Sequence, residues 1–291
     1  MVDRSLEEFE KRQTQAAEGG QLVEADSFRG AHGQIVEAIG TAIANGTHSV
    51  GDRLFPESLG EDFGVSRTVI REVLKVLEAR GMVRARPGSG TRVLPSSEWD
   101  LLDSDVIRWQ SIGAESGTQV ANLTALRSAI ESLAARQACQ ERTPESLTRL
   151  RASIDDMVDA NTSRDRHRYT EVDVDFHRAV LAASGSMILE QLADPVEAAI
   201  RARFRREVAR KVWQDMAFIR EVISWHEAVV DAIEDRDEGT AELIMRRIAS
   251  MQAEEEAGMS KAAGRADLPK VIMRTDDGGR YRIRPSNPAE E

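Results

Sequence analysis

The chain has 291 residues, of which 41% are hydrophobic and 31% charged, and its formal net charge is −11 at pH 7. This length and composition predict a folded chain of two domains and exclude a disordered or fibrous protein. No apolar run reaches the roughly 18 residues of a membrane helix, and the acidic start is unlike a signal peptide, so we expect a cytoplasmic protein without a membrane partner. The single cysteine, Cys139, excludes an intrachain disulfide and a cysteine metal cluster.

Positive charge is concentrated in one stretch of this acidic chain. Between residues 66 and 92, seven Lys or Arg residues accompany only two Glu residues. A local basic excess of this kind is typical of a surface that binds phosphates. The charge pattern therefore favours nucleic-acid binding by this stretch, and it argues against a protein that coats nucleic acid with its whole surface.

The N-terminal third of the chain predicts a polar arm and a small domain. We expect residues 1–27 to form a mobile arm and residues 28–95 to form the domain. One helix begins at Ala31, a short second helix ends at Gly64, and a third helix follows the N-cap candidate Ser66. Two strand patterns then flank a Pro-Gly-Ser-Gly tip and predict a hairpin. This order of elements is that of a winged helix-turn-helix.

The third helix is the candidate reader of DNA. In helix-turn-helix proteins, the N-terminal part of the second motif helix lies in the major groove, where polar side chains and Arg reach bases and phosphates. Ser66, Arg67, Thr68 and Arg71 occupy that part of the predicted helix. We therefore expect these residues to contact DNA, and the alternative is a solvated basic helix edge.

The rest of the chain predicts an all-helical domain over residues 96–258 and a tail over 259–291. Helical patterns cover about 101–112, 118–141, 144–161, 165–184, 187–211, 215–235 and 238–258. In the tail, two short strand patterns either pair as a hairpin or stay mobile. The fold class is therefore mainly α, with an N-terminal winged helix-turn-helix and a C-terminal all-helical bundle.

Both regions resemble one known family. The first region is similar to the GntR-superfamily winged helix-turn-helix at residues 51–54, 63–67 (FGVSR), 71–74 (REVL) and 88–91 (GSGT). The second region resembles the FadR-type effector domain, also called the FCD domain, and in particular that of the family's sugar-acid repressors. The positions that carry this second resemblance are Trp99, Asp103, Trp109, Arg127, Glu131, Asp173, Phe176 and His177.

The resemblance implies a homodimer that binds palindromic operator DNA and places the tip of its wing in the minor groove. The wing residues expected at DNA on this basis are Gly88, Ser89, Gly90 and Thr91. One departure is visible at the second helix. Many family members have an arginine there as a further DNA contact, whereas this chain has Pro56, Glu57 and Ser58.

A carboxylate and two histidines in the helical region are candidate metal ligands. Asp173 and His177 are four residues apart on one helix face, and His226 lies in another apolar stripe. Such a set could bind a transition metal such as Zn or Ni. The resemblance implies the same ligands and one further histidine, but Ile248 occupies its place. Two alternatives remain: a three-ligand metal site completed by water or an effector oxygen, and a metal-free pocket in which Asp173 bonds a histidine.

Arg127 is a candidate effector-binding residue together with this trio. The resemblance implies that an arginine here faces the pocket and binds an effector carboxylate bidentately. The alternative is an exposed i,i+4 ion pair between Arg127 and Glu131. The basic residues from Arg201 to Lys211, including Arg203, are predicted to form a solvated helix face.

These observations predict a DNA-binding transcription regulator, with repression favoured, that is controlled by a small carboxylate or sugar acid in the helical domain. Two alternatives remain at this point. One is a metal-dependent enzyme that uses Asp173, His177 and His226, although an enzyme would not require the basic stretch. The other is a constitutive DNA binder with a vestigial pocket.

Overall fold

The computed structural model describes residues 30–86, 90–111, 116–209, 216–256, 272–275 and 281–284. The chain divides into two compact units, Met1–Ser116 and Gly117–Glu291, and each unit has a hydrophobic core of its own. The predicted arm, residues 1–27, lies outside the described residues. The mainly helical fold class is confirmed, with a winged helix-turn-helix first and a helical bundle after it.

Besides a short 3-10 helix (Ser96–Glu98), the first unit contains four α-helices and three strands within its described residues. They are α1 (Ala31–Ala44), β1 (Arg53–Leu54), α2 (Pro56–Asp62), α3 (Arg67–Ala79), β2 (Val83–Arg86), β3 (Gly90–Val93) and α4 (Ser104–Gln110). The sheet is antiparallel with the order β1-β3-β2. The hairpin was predicted, and the pairing of Arg53 with Arg92 adds β1 to its outer edge.

The recognition helix α3 forms because its sequence carries a cap and an apolar stripe. The hydroxyl of Ser66 accepts a hydrogen bond from the Val69 backbone N–H at 3.4 Å, which confirms the predicted N-cap. Four apolar side chains spaced along one face are buried in the core of the first unit: Ile70, Val73, Leu74 and Leu77. The opposite face of α3 is therefore left for polar and basic side chains.

Helix α4 belongs to the first unit, although its sequence was assigned to the helical region. Trp109 is fully buried in the core of the first unit. At the C-terminal end of α3, Arg80 Nε donates to Asp103 Oδ1 at 3.1 Å and Arg80 Nη2 donates to Asp105 at 2.6 Å. Apolar burial and these ion pairs fix α4 on the winged helix, so the units divide at Ser116 and not at residue 95.

The second unit is helical over most of its described residues. Its helices are α5 (Ser116–Glu141), α6 (Pro144–Thr162), α7 (Arg166–Ala183), α8 (Met187–Gln191), α9 (Ala193–Ala209), α10 (Met216–Glu234) and α11 (Glu238–Glu256). A single helix was predicted over 187–211, but the helix is interrupted after Gln191 and a new helix begins at Ala193. Pro195 explains the break because it has no N–H to donate to the carbonyl of Gln191, four residues earlier.

Two short strands near the C-terminus pair with each other. Strand β4 (Ile272–Thr275) is antiparallel to β5 (Tyr281–Arg284), with Ile272 opposite Arg284. The two strand patterns of the tail are therefore paired in these residues, and the connection between them lies outside the described residues. Within the part of the chain that the structure describes, no helix combines the length and the apolar character needed to cross a bilayer.

Candidate functional site

The N-terminal end of α3 presents the predicted DNA-contacting residues at the surface. Ser66, Arg67, Thr68 and Arg71 are all exposed. The Nη1 atom of Arg67 lies 3.3 Å from Oε1 of Glu57 on α2, and both side chains are more than half exposed. The structure therefore places polar and cationic groups where a helix-turn-helix meets DNA, with one carboxylate among them.

The wing is described in part. Gly90 opens strand β3 with a φ of +77°, a conformation that favours glycine. Thr91 is buried, so its side chain is not presented at the surface. Gly88 and Ser89, the other expected contacts of the wing tip, lie outside the described residues. The exposed Arg84 and Arg86 on β2 add positive charge to the same hairpin.

The second site is a cluster of ionisable side chains inside the helical unit. Asp173 and His177 come from α7 and His226 comes from α10, and all three are completely buried. One possible ligand atom from each residue lies within 4.8 Å of the others. The structure thus brings together the three residues that the sequence proposed as metal ligands.

The hydrogen bond of His226 defines which of its ring atoms faces Asp173. Nδ1 lies 2.8 Å from the carbonyl oxygen of Val222, which can only accept, so Nδ1–H is the donor. Nε2 then presents its lone pair to Oδ1 of Asp173 at 3.3 Å. Within the described residues, these two buried acceptors face each other without a hydrogen-bond donor, an arrangement that favours a cation between them.

Glu131 on α5 is a member of this cluster that the sequence reasoning treated only as a surface partner. Its side chain is completely buried, and its carboxylate contacts Nδ1 of His177. It also accepts a hydrogen bond from Arg127 Nε at 2.6 Å. The i,i+4 pair therefore exists, but it is buried, because Arg127 is only 3% exposed. In addition, Arg127 Nη2 lies 3.4 Å from His177 Nε2.

Arg203 on α9 is the sixth member, and the prediction of a solvated helix face is wrong for this residue. Arg203 is 7% exposed, and its Nη2 donates to Oδ2 of Asp173 at 3.2 Å. A run of basic residues usually indicates an exposed helix face. The burial of Arg203 could not be read from the run, because its partner Asp173 is 30 residues away in the sequence. Nothing in the local pattern distinguished this arginine from its neighbours.

The surroundings of the two carboxylates keep both of them ionised. Burial alone would raise the pKa of Asp173, but the guanidinium of Arg203 holds it well below its ordinary value. Burial opposes ionisation of Glu131 too, yet Arg127 and His177 lower its pKa to about 2. Burial lowers the pKa of His177 despite the nearby Glu131, so this ring is neutral near pH 7.

The donor set fits a metal ion with three protein ligands. The carboxylate of Asp173 and the two imidazoles are suitable donors for Zn or Ni. The second contact of each ring also fits, because Glu131 orients His177 and the Val222 carbonyl orients His226. Ile248 on α11 is 1% exposed in the apolar core and offers no donor atom. A fourth ligand would therefore have to come from water or from a bound molecule.

A winged helix-turn-helix with a basic recognition helix, followed by a helical unit with a buried charged cluster, defines a DNA-binding transcription regulator. The chain belongs to the GntR family of bacterial regulatory proteins. The model of bacterial regulatory proteins of the gntR family matches residues 31–93, and the FCD domain model matches residues 122–250.

Named relatives agree with this class. The galactonate operon transcriptional repressor of Escherichia coli is 30% identical over 211 residues, which is 72% of this chain and 89% of that protein. The Uxu operon transcriptional regulator of the same species is 26% identical over 68% of this chain and 76% of its own. The prediction of a DNA-binding regulator, as opposed to an enzyme, is thereby confirmed.

One solved structure supports the fold itself. It is that of Lar, which controls the expression of the Listeria monocytogenes agr system and mediates virulence. The TM-score is 0.57 at 14% identity, and the match covers 80% of this chain and 99% of that one. At this level of identity the similarity shows a shared fold.

Proposed function

We propose that this regulator acts in the cytoplasm as a homodimeric repressor that binds a palindromic operator and leaves it when a small carboxylate enters the helical unit. The observation that carries the proposal is the buried cluster of six ionisable residues in a unit separate from the DNA-reading motif. Burying so many charges is costly, and such a cost is typical of a site that binds a polar ligand. Operator release then requires only a few kcal/mol of differential affinity between two states of the dimer.

At the DNA, we assign the contacts to the exposed start of α3 and to the wing. Arg67 and Arg71 are one helical turn apart, so they can reach adjacent base edges or phosphates. Ser66 and Thr68 supply hydroxyls beside them. The wing tip around Gly88, Ser89 and Gly90 would approach the minor groove, as in other members of the family.

In the helical unit, Asp173, His177 and His226 would hold a divalent ion such as Zn or Ni. When bound, that ion would supply a Lewis acid that attracts a carboxylate or hydroxyl oxygen of the effector. Arg127 would add a hydrogen bond to the same carboxylate, since its Nη2 already lies 3.4 Å from His177 Nε2. Glu131 would keep both Arg127 and His177 in position during binding.

The name of a relative supports a sugar acid as the effector class. One relative is the repressor of a galactonate operon, and galactonate carries both a carboxylate and adjacent hydroxyls. Such a molecule could complete the coordination of an ion that has only three protein ligands. The constitutive alternative, a DNA binder with a vestigial pocket, predicts instead that no small acid affects the protein.

A thermal-shift screen tests the proposal. The purified dimer is melted with sugar acids, including galactonate, and with short hydroxy and keto acids, each with and without Zn or Ni. We expect at least one acid to raise the midpoint, and the same acid to release a fluorescent operator duplex. His177→Gln should abolish both effects, whereas the matched control His167→Gln, a partly exposed histidine on the same helix, should not. A screen in which no acid shifts the wild type would contradict effector control.

A further inference from the structure

Glu57 and Arg67 form an ion pair in the surface that is assigned to DNA. Glu57 lies in the first turn of α2, and Arg67 is the first residue of α3. Their charged atoms are 3.3 Å apart, and the side chains are 51% and 68% exposed, respectively. The two helices of the motif therefore place a carboxylate beside the first arginine of the recognition helix.

This pair has little to contribute to folding. Exposed ion pairs gain little Coulomb energy in water and order two long side chains. A carboxylate in this position also repels the phosphates of DNA and so opposes binding. The carboxylate is ionised at neutral pH, because a backbone hydrogen bond at the start of α2 and the Arg67 side chain both lower its pKa. Glu57 therefore lowers DNA affinity without a compensating gain in stability, so its place beside Arg67 requires an explanation other than folding.

We propose that Glu57 is a positioning residue for specificity, which holds the Arg67 guanidinium toward a base and away from the phosphates. The inference rests on the proposed contact of Arg67 with DNA. A long arginine can turn to the nearest phosphate, a contact that carries no sequence information. A carboxylate that accepts from Nη1 fixes the plane of the guanidinium and repels phosphate from that side. The remaining N–H groups are then free for a guanine edge.

Nearby charges are consistent with this role. Arg71, one turn along α3, also acts on Glu57 electrostatically, so the carboxylate lies in a positive field. Arg71 is exposed, and within the described residues it is Arg67, and not Arg71, that hydrogen-bonds to Glu57, which leaves the Arg71 guanidinium available for phosphate. We therefore infer a division of labour in which Arg67 discriminates between sequences and Arg71 contributes affinity.

The test separates the effect of losing one negative charge on α2 from the effect of losing the carboxylate that contacts Arg67. Wild type, Glu57→Gln, Glu61→Gln and Arg67→Ala dimers each select duplexes from a randomised DNA library. The affinities for the wild-type consensus and for a permuted duplex are then measured at several salt concentrations. Glu61 is the matched control because it is an exposed carboxylate of the same helix, so its substitution changes the net charge equally.

We expect both glutamine variants to bind permuted DNA somewhat better at low salt, because each loses a negative charge. Only Glu57→Gln should reduce the preference for the consensus, by roughly tenfold, and relax one base position in each half-site. In an Arg67→Ala background, Glu57→Gln should have no further effect on that preference. Unchanged discrimination in Glu57→Gln would overturn the inference, as would an equal loss in Glu61→Gln. If Arg67→Ala itself bound the consensus as well as wild type does, the contact assigned to Arg67 would be wrong.

Discussion

Trp109 lies directly against Gly40, and a Cβ atom added to Gly40 would fall 2.7 Å from three atoms of the indole ring. Gly40 is in the middle of α1, where glycine is normally unfavourable, and Trp109 comes from α4. The glycine is therefore required by close packing between two helices. It allows the largest side chain of the first core to lie flat on the α1 backbone.

The first prediction concerns this contact. Replacing an exposed helical glycine with alanine usually stabilises a helix by about 1 kcal/mol. Gly40→Ala should instead lower the free energy of unfolding of the first unit by about 1–3 kcal/mol, because the methyl group displaces Trp109. Urea denaturation followed by tryptophan fluorescence measures the change. The control is Gly239→Ala on α11, where the nearest atom is 3.8 Å away and no loss is expected.

The second prediction concerns the buried pair of Arg127 and Glu131. Arg127→Ala should cost about 3–5 kcal/mol of stability, because it leaves the ionised Glu131 buried without its guanidinium. The double variant Arg127→Leu/Glu131→Gln removes both charges and should recover much of that loss. Denaturation of the two variants gives the comparison. Equal stability of Arg127→Ala and wild type would mean that the pair is not buried.

The third prediction is a dependence of stability on pH. Glu131 and Asp173 have lowered pKa values in the folded state. The two carboxylates therefore stabilise the folded protein fully above the pKa of an unfolded carboxyl group, near 4, and this contribution is lost as the pH falls further. The pKa of His177 is also lowered in the folded state. As the pH falls below the ordinary histidine pKa of 6.5, the ring therefore binds a proton in the unfolded state before it does so in the folded state. Unfolding free energy should therefore fall in two steps, one below about pH 6.5 and one between about pH 4.5 and 2.

Substitution separates these two steps. His177→Gln should flatten the step below pH 6.5, whereas Glu131→Gln should reduce the step at lower pH. Chemical denaturation at a series of pH values follows both. A wild-type protein whose stability rises on acidification from pH 7 to 5 would contradict the assignment of a neutral His177.

The fourth prediction distinguishes a metal site from a metal-free pocket. If the trio holds an ion, Ile248→His should raise metal affinity by adding an imidazole where the family pattern has its further ligand. In a metal-free pocket, the same change buries an unpaired ring and costs about 1–3 kcal/mol of stability. Metal analysis of the purified proteins and melting curves in chelator and in Zn distinguish the two outcomes. A destabilised variant without metal would count against the ion.

The fifth prediction concerns affinity for DNA. Arg71→Ala should weaken operator binding by roughly tenfold and reduce the salt dependence, because one cationic contact to phosphate is lost. Fluorescence anisotropy at fixed salt provides the measurement. Arg220→Ala, an exposed arginine on α10 of the second unit, removes the same charge and should leave operator affinity nearly unchanged. If the two variants bind alike, α3 is not the reading helix.

The sequence predicted the elements that depend on local signals. The start of α3 was predictable because an N-cap serine and an apolar stripe lie within twelve residues, and Pro144 likewise marked the start of α6. Strand β1 was missed because two residues carry no periodicity, and its partner Arg92 is distant in sequence.

The part of the candidate site that lies on a single helix could be predicted from residue spacing. Asp173 and His177 share a face of α7, so their proximity could be predicted from their separation of four residues. The burial of Arg203 could not be predicted in this way, because it depends on a carboxylate on a different helix. The docking of α4 on the first unit was missed for the same reason, since the contact of Trp109 with Gly40 is set by tertiary packing alone.

The position of α4 determines where this protein can be cut. The family pattern of the DNA-binding domain ends at residue 93, yet the core of the first unit is closed by Trp109. A fragment that ends at residue 95 would expose the apolar surface beneath that ring, whereas a fragment that extends through Ser111 keeps it covered. Chimeras that join this DNA reader to a foreign sensor should therefore place the junction after Ser111, so that α4 is inherited together with the helices it covers.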